Sequence, residues 1–217
     1  MFAFSTERPA LPADLVATLR PIVLAKSRTL PLGEPWSAVV PGGGLRRGTT
    51  VVVQASPGSG GLSLALSLVA RASLEGHWIG VVGVGDPGAV AIAELGVDLH
   101  RVLFVPRPLG AWAEAAADLL DGVDLVIVRP PRAGYGAARR LVDRVRERGT
   151  VMIALVEPSA PWPLPADLSF TITEARWATS SRLDARHLTV LVGGRGELAR
   201  GCAHVVTLPD RRGRAAR

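Results

Sequence analysis

Residues 49–63 read TTVVVQASPGSGGLS. Thr49–Ala55 is a run of β-branched residues that favours a pleated, buried strand. SPGSGG is a glycine loop, and LSLALSLVARASLEG after it carries an apolar helical pattern. Strand, glycine loop and helix in direct succession form the unit a phosphate-binding loop needs, because the first helical N–H groups are free to meet an anion. A working loop of this kind reads G-x-x-x-x-G-K-[ST]. Its lysine bridges the outer phosphates and its hydroxyl holds Mg²⁺. Aligning Gly60 with the second glycine puts Gly61 at the lysine and Leu62 at the hydroxyl. Sliding by one residue recovers Ser63 as the hydroxyl but puts Leu62 at the lysine. Neither register works. The single lysine of the chain, Lys26, lies in a separate N-terminal segment and is no substitute.

Outward from this unit the pattern alternates. Trp78–Val84, Arg101–Val105, Leu125–Val128 and Thr150–Val156 read as strands, and Ala89–Leu95, Ala111–Leu120 and Tyr135–Arg148 as helices. Continuous Val/Ile/Leu runs between helices predict an α/β fold with a mainly parallel central sheet flanked by helices. Beyond the proline-rich PSAPWPLP, the runs Leu168–Thr173, His187–Val192 and His204–Leu208, with turns at Gly193, Gly194 and Gly196, predict an antiparallel C-terminal extension. The expected organisation is an N-terminal helical segment over 1–30, a core domain over 31–208 and a basic, disordered tail over 209–217. Trp36 and Trp78 are expected in the core.

The second half of a nucleotide site is an acidic residue ending a buried strand, where it organises Mg²⁺. Here the strand Val123–Val128 ends at Arg129. Two unit positive charges ~4 Å apart repel by about 4 kcal/mol at an effective dielectric of 20, so a cation there expels the metal. Vestigial phosphate-loop positions are therefore Gly58, Ser59, Gly60, Gly61 and Ser63, with Arg129 in the metal position. The expectation is no ATP or other cofactor, no metal and no catalytic residue. The histidines show no metal-ligand spacing, and no nucleophile-elbow motif supports hydrolase chemistry.

Hydrophobic content of 48% indicates a well-filled core. The apolar runs are too short and interrupted for a membrane span. The N-terminus has no basic region leading into an apolar core, so no signal peptide is expected. One cysteine, Cys202, forms no internal disulfide and fits a reducing compartment, so the expected location is cytoplasmic. The net charge of +6 permits weak DNA contact or an acidic partner, and equally suits an ordinary arginine-rich protein.

Residues 30–192 resemble RecA. The glycine-rich approach PLGEPWSAVVPGGGLRRGTTVVVQASPGSGG, the segment Leu95–Val105 (LGVDLHRVLFV), the strand Val123–Val128 and Asp86-Pro87 carry the likeness. The catalytic acid the resemblance calls for just before Asp86 is missing, since Val84 and Gly85 stand there. The two DNA-contacting loops, at Arg129–Gly136 and Glu157–Pro165, are short, and Glu157 stands where RecA has a nucleotide-sensing glutamine. A RecA-like P-loop fold with an eroded site and a basic tail resembles the ImuA family, particularly its actinobacterial ImuA′ type. That resemblance implies an accessory role in SOS mutagenesis. It implies an ImuB-like inactive Y-family polymerase homologue as partner, and an error-prone C-family DNA polymerase indirectly. A SulA-like cell division inhibitor, or a RecA paralogue binding nucleotide or DNA phosphate without hydrolysis, are the alternatives.

Single features have two readings each. The glycines cradle an anion, or serve only the turn. Arg139, Arg140 and Arg144, with Arg146 and Arg148, face a partner or form a solvated face paired to Asp143 and Glu147. Arg211, Arg212 and Arg214 in the tail reach a partner or only solubilise the chain. Trp162, between prolines, is a docking anchor if exposed, or plugs the sheet end.

Overall fold

The computed structural model describes residues 28–179 and 183–208. Of the predicted N-terminal segment only its last residues are described, and Thr29–Pro31 forms strand β1. The helix expected over 11–26, Lys26, and the tail with Arg211, Arg212 and Arg214 lie outside the described residues.

β1 pairs antiparallel with β2 (Gly44–Arg46), enclosing the short helix α1 (Trp36–Val39). β3 (Thr49–Gln54) leads through the glycine loop into α2 (Gly61–Leu74). Then follow β4 (Ile79–Val82), α3 (Ala89–Glu94), β5 (Val102–Val105), α4 (Trp112–Gly122), β6 (Leu125–Val128), α5 (Tyr135–Arg148) and β7 (Val151–Val156). The chain closes with β8 (Leu168–Thr179), β9 (Leu183–Gly194) and β10 (Cys202–Thr207). The main sheet has the order β10-β9-β8-β3-β7-β6-β4-β5. It is parallel from β8 to β5 and antiparallel from β8 to β10, as the two textures of the sequence predict.

The reason for this order lies in which faces are apolar. β6 and β7 are buried at every position, so helices must cover both sides. One layer, with α1 and α2, packs Trp36, Leu64 and Leu68 against Val51, Ile153 and Phe170. The other, with α4 and α5, packs Leu120, Leu141 and Val145 against Val126, Met152 and Ala154. α5 has the predicted bounds because its stripe of Ala138, Leu141, Val142 and Val145 is buried and Gly149 ends it in the left-handed conformation.

Two expectations need correction. β8 and β9 run well past Thr173 and begin before His187. β3 pairs with β8 only as far as Thr171, and beyond it β8 and β9 pair with each other as a two-stranded hairpin. Exposed polar residues there leave no apolar run to read. Trp78 is not core: it precedes β4 at the sheet's rim, 38% exposed, with the Arg101 guanidinium 5.2 Å from its ring centroid. Trp36, by contrast, is fully buried. No helix among the described residues is long and apolar enough to cross a membrane.

Asp124, just before β6, ties three segments together. Arg47 Nη2 lies 2.6 Å from Oδ1, the Trp78 N–H donates to Oδ2 at 3.1 Å, and His77 Nδ1 is 3.3 Å away. Burial alone would raise this carboxyl. The hydrogen bonds from Arg47 and Trp78, with the charges of His77 and Arg47, outweigh it and hold the group below its ordinary value. A depressed folded-state value contributes stability above the unfolded pKa of about 4, and loses it as pH falls through the folded value. The wild type is therefore expected to lose stability below ~pH 4 more steeply than Asp124→Asn. Urea midpoints across pH 2–7 check this, and parallel curves refute it.

Candidate functional site

The candidate site lies at the carboxyl ends of the parallel strands, where open α/β sheets bind ligands. The β3 backbone hands over to the loop at Ala55, whose N–H donates to Val156 O at 3.0 Å. Gly58 (φ 77°) and Gly60 (φ 100°) take left-handed conformations that turn the chain into α2. The first helical hydrogen bond runs from Leu64 N to Gly60 O at 2.9 Å, and no side chain caps the helix. The N–H groups of Gly61, Leu62 and Ser63 therefore have no helical acceptor. The Ser59 hydroxyl turns back on its own loop, donating to Ser56 O at 2.8 Å.

Gly61 is more than a missing lysine. A Cβ at this position would lie 2.6 Å from Ala55 Cβ and 2.9 Å from Leu155 Cδ1, so any side chain collides with the sheet. The loop is closed to a lysine by packing.

Arg129 follows β6, its N–H donating to Val82 O at 2.9 Å. Its guanidinium Nη2 sits 2.9 Å from Glu157 Oε1, with both side chains half-buried. Arg129, expected in the metal position, and Glu157, standing where the resemblance calls for a sensing glutamine, are thus joined in one ion pair. Two cavities share this pair in their lining. One, of about 540 Å³, is also lined by Pro106, Leu109, Arg132 and Ser159. The other, of about 240 Å³, is also lined by the glycine loop, Ser63 and Arg186.

Arg186 was not foreseen. It stands on β9 directly opposite Trp177 on β8, its guanidinium 4.1 Å from the Trp177 ring centroid. A Cβ placed on Gly60 would lie 2.6 Å from its Nη1, so the guanidinium rests on the bare face of Gly60. Burial lowers its pKa from the usual arginine range. Its Nε is shut off from solvent with no hydrogen-bond partner among the described residues. The hairpin's register brings it here, and only a correct strand start before His187 would have signalled it.

The remaining candidates are scattered. Trp162 is buried, 8% exposed, in the cluster with Val156 and Ala133, so it plugs the sheet end and is no exposed anchor. A bridge between Glu157 and Ala160 closes the turn that precedes it. On α5, Arg139 pairs with Asp143 at 2.9 Å. Arg144 and Arg148 both bind Asp121 of α4, Arg148 at 2.9 Å. The Arg144 hydrogen bond leads in holding the Asp121 carboxyl below its ordinary value. Arg140 makes no ion pair among the described residues and lies beside a shallow groove of Ala113, Ala117 and Ala137. Among the described residues no three of His, Cys, Asp and Glu gather as they would around a metal ion.

Residues 38–163, with the glycine loop, Arg129 and Glu157 inside them, match the MT3502 N-terminal domain family. The chain belongs to this family. The match ends before β8, so Trp177 and Arg186 lie beyond it. A relative named uncharacterized protein Rv3395c, from Mycobacterium tuberculosis, is 38% identical over 97 residues, which cover 44% of this chain. The match spans 48% of that relative, about half its length. Among solved structures, the KaiC-like protein PH0186 from Pyrococcus horikoshii superimposes with a TM-score of 0.51 at 16% identity, covering 76% of this chain and 87% of that one. That likeness shows the fold, which is RecA-like.

Proposed function

We propose that the protein is a non-catalytic, RecA-like accessory protein of the ImuA type, acting as a scaffold in error-prone translesion synthesis during the DNA damage response. Its partner in this reading is an ImuB-like, inactive relative of the Y-family polymerases, with a C-family polymerase engaged indirectly and with DNA contact weak. The observation that carries the non-catalytic half is the packing at Gly61, where Ala55 and Leu155 fill the space a lysine stem would need. The Arg129–Glu157 pair supports it, since the cation stands in the metal position and takes up the nearby carboxylate. Such a site lacks the loop lysine and carries a cation where phosphoryl transfer places its metal. The accessory role is what the resemblance of residues 30–192 to RecA, and of the eroded site to the ImuA family, implies.

The test is an affinity pull-down from damaged and undamaged cells, using the full chain and a chain ending at Pro209. The expected result is recovery of a polymerase-like protein from damaged cells. Recovery of no replication or repair protein overturns the accessory reading, and Mg²⁺-dependent ATP turnover by the pure protein overturns the non-catalytic one.

A further inference from the structure

Leu109 lines the larger cavity in a backbone conformation that a leucine rarely adopts. Its φ is 52°, the only positive value outside glycine among the described residues. The Ala111 N–H donates to Pro108 O at 2.9 Å, closing a tight turn in which Leu109 takes the second position. A positive φ there ordinarily calls for Gly, Asn or Asp. Burial does not offset the strain, because the side chain is 86% exposed. A strained residue that buries nothing within its own fold points to a use outside it.

The rest of the cavity has the same character. Pro106, Pro108, Pro130 and Pro131 form its walls with Leu109. Prolines have no N–H, so these walls offer rigid apolar surface and no backbone donors. Charge is arranged as narrowly. Glu157, the one carboxylate of the lining, is held by Arg129. Arg107, between two of the prolines, is held by Asp86. Arg132 remains, exposed and in no ion pair among the described residues.

We propose that this cavity docks a short peptide segment of a partner protein in which an apolar residue stands next to an aspartate or glutamate. The prolines and Leu109 take the apolar side chain, and Arg132 takes the carboxylate. Charge complementarity disfavours the reverse, since a lysine or arginine in the segment would meet Arg132 with no spare carboxylate to receive it. It disfavours a nucleic acid strand as well. Such a strand is held by several free cations and by aromatic rings that stack on its bases. This lining has one unpaired arginine and no aromatic side chain. At about 540 Å³ the space lies within the usual range for small-ligand sites, roughly 300–1,000 Å³, so it takes a few side chains and not a folded domain. Rigid walls and a leucine already fixed in place leave little to be ordered on docking.

The inference rests on the scaffold reading for the existence of a protein partner, and the two fail separately. Peptide binding without a repair protein in the pull-down keeps the site and removes the role. A repair protein recovered by a chain that binds no peptide keeps the role and removes the site.

The test selects a random peptide library displayed on phage against the immobilised full chain, and measures each selected peptide by fluorescence anisotropy. Selected peptides are expected to pair an apolar residue with Asp or Glu. Leu109→Asp and Arg132→Glu are each expected to weaken them roughly tenfold or more. Replacing the peptide's acid by lysine is expected to restore binding to Arg132→Glu, which a merely structural arginine would not do. Leu109→Gly relieves the backbone, so it is expected to melt no lower than wild type while binding more weakly. Arg71→Gln, on α2 and outside the cavity lining, is expected to leave binding unchanged. No enriched peptide, or equal affinity for wild type, Leu109→Asp and Arg132→Glu, overturns the proposal. So does tight binding of oligothymidylate that Leu109→Asp abolishes, since the cavity would then serve nucleic acid.

Discussion

Lysine introduced at Gly61 is expected to destabilise the protein by about 3 kcal/mol and to yield no ATP turnover. The collision begins at the Cβ, 2.6 Å from Ala55 Cβ and 2.9 Å from Leu155 Cδ1, before any charge is considered. Ala55 directly follows β3 and Leu155 lies on β7, which pairs with β3 at the centre of the sheet, and the Ala55 Cβ has no rotamer by which to move aside. Gly61→Ala is accordingly expected to show most of the loss by itself. In a chain of this length the loss corresponds to a thermal midpoint lower by roughly 6–12 °C. Thermal melts and phosphate release in Mg²⁺ and ATP check both halves. A lysine variant as stable as wild type would show that the loop can open. One that also hydrolysed ATP would reduce the eroded site to a single substitution.

This expectation marks how far the sequence could be read. That Gly61 replaces a lysine is visible in the order of residues, because a motif is a statement about neighbours along the chain. That the position is closed to any side chain is not visible, because Ala55 and Leu155 come from two different strands. The parallel core was legible for a similar reason: β6 and β7 are buried on both faces, and burial on both faces leaves an unbroken apolar run. The outer hairpin was only half legible. Past Thr171 it leaves β3, its residues turn polar, and Arg186 and Trp177 look like ordinary surface residues although they meet over the loop. Trp162 and Trp78 show the same limit in opposite directions. A proline-flanked tryptophan is buried in the cluster with Val156 and Ala133, and one adjoining an apolar strand is exposed just before the first paired residue. The arginines of α5 read as one basic face. Yet Asp121 of α4 takes two of them, a partner that no helical spacing within α5 reveals.

Trp36→Ala is expected to cost about 3–5 kcal/mol. The ring is fully buried and meets Phe170 of β8 edge to face, centroids 5.5 Å apart at 83°. Its Nε1–H donates to the Ser67 hydroxyl on α2 at 2.9 Å, and that hydroxyl donates onward to Leu64 O at 2.8 Å. One side chain therefore joins the flap of β1, α1 and β2 to the glycine-loop helix and to the sheet. Trp36→Phe separates the two contributions. It keeps an aromatic edge against Phe170 and removes only the indole donor, and Ser67 retains its acceptor at Leu64, so no buried hydroxyl is orphaned. Its hydrogen-bond loss is expected to be about 1 kcal/mol, with a packing loss short of the alanine variant's. Urea midpoints for the two variants decide between packing and hydrogen bonding as the source. If they are equally destabilised, the indole hydrogen bond holds α2 in place. The larger alanine loss expected here means that the apolar wedge between α2 and β8 does.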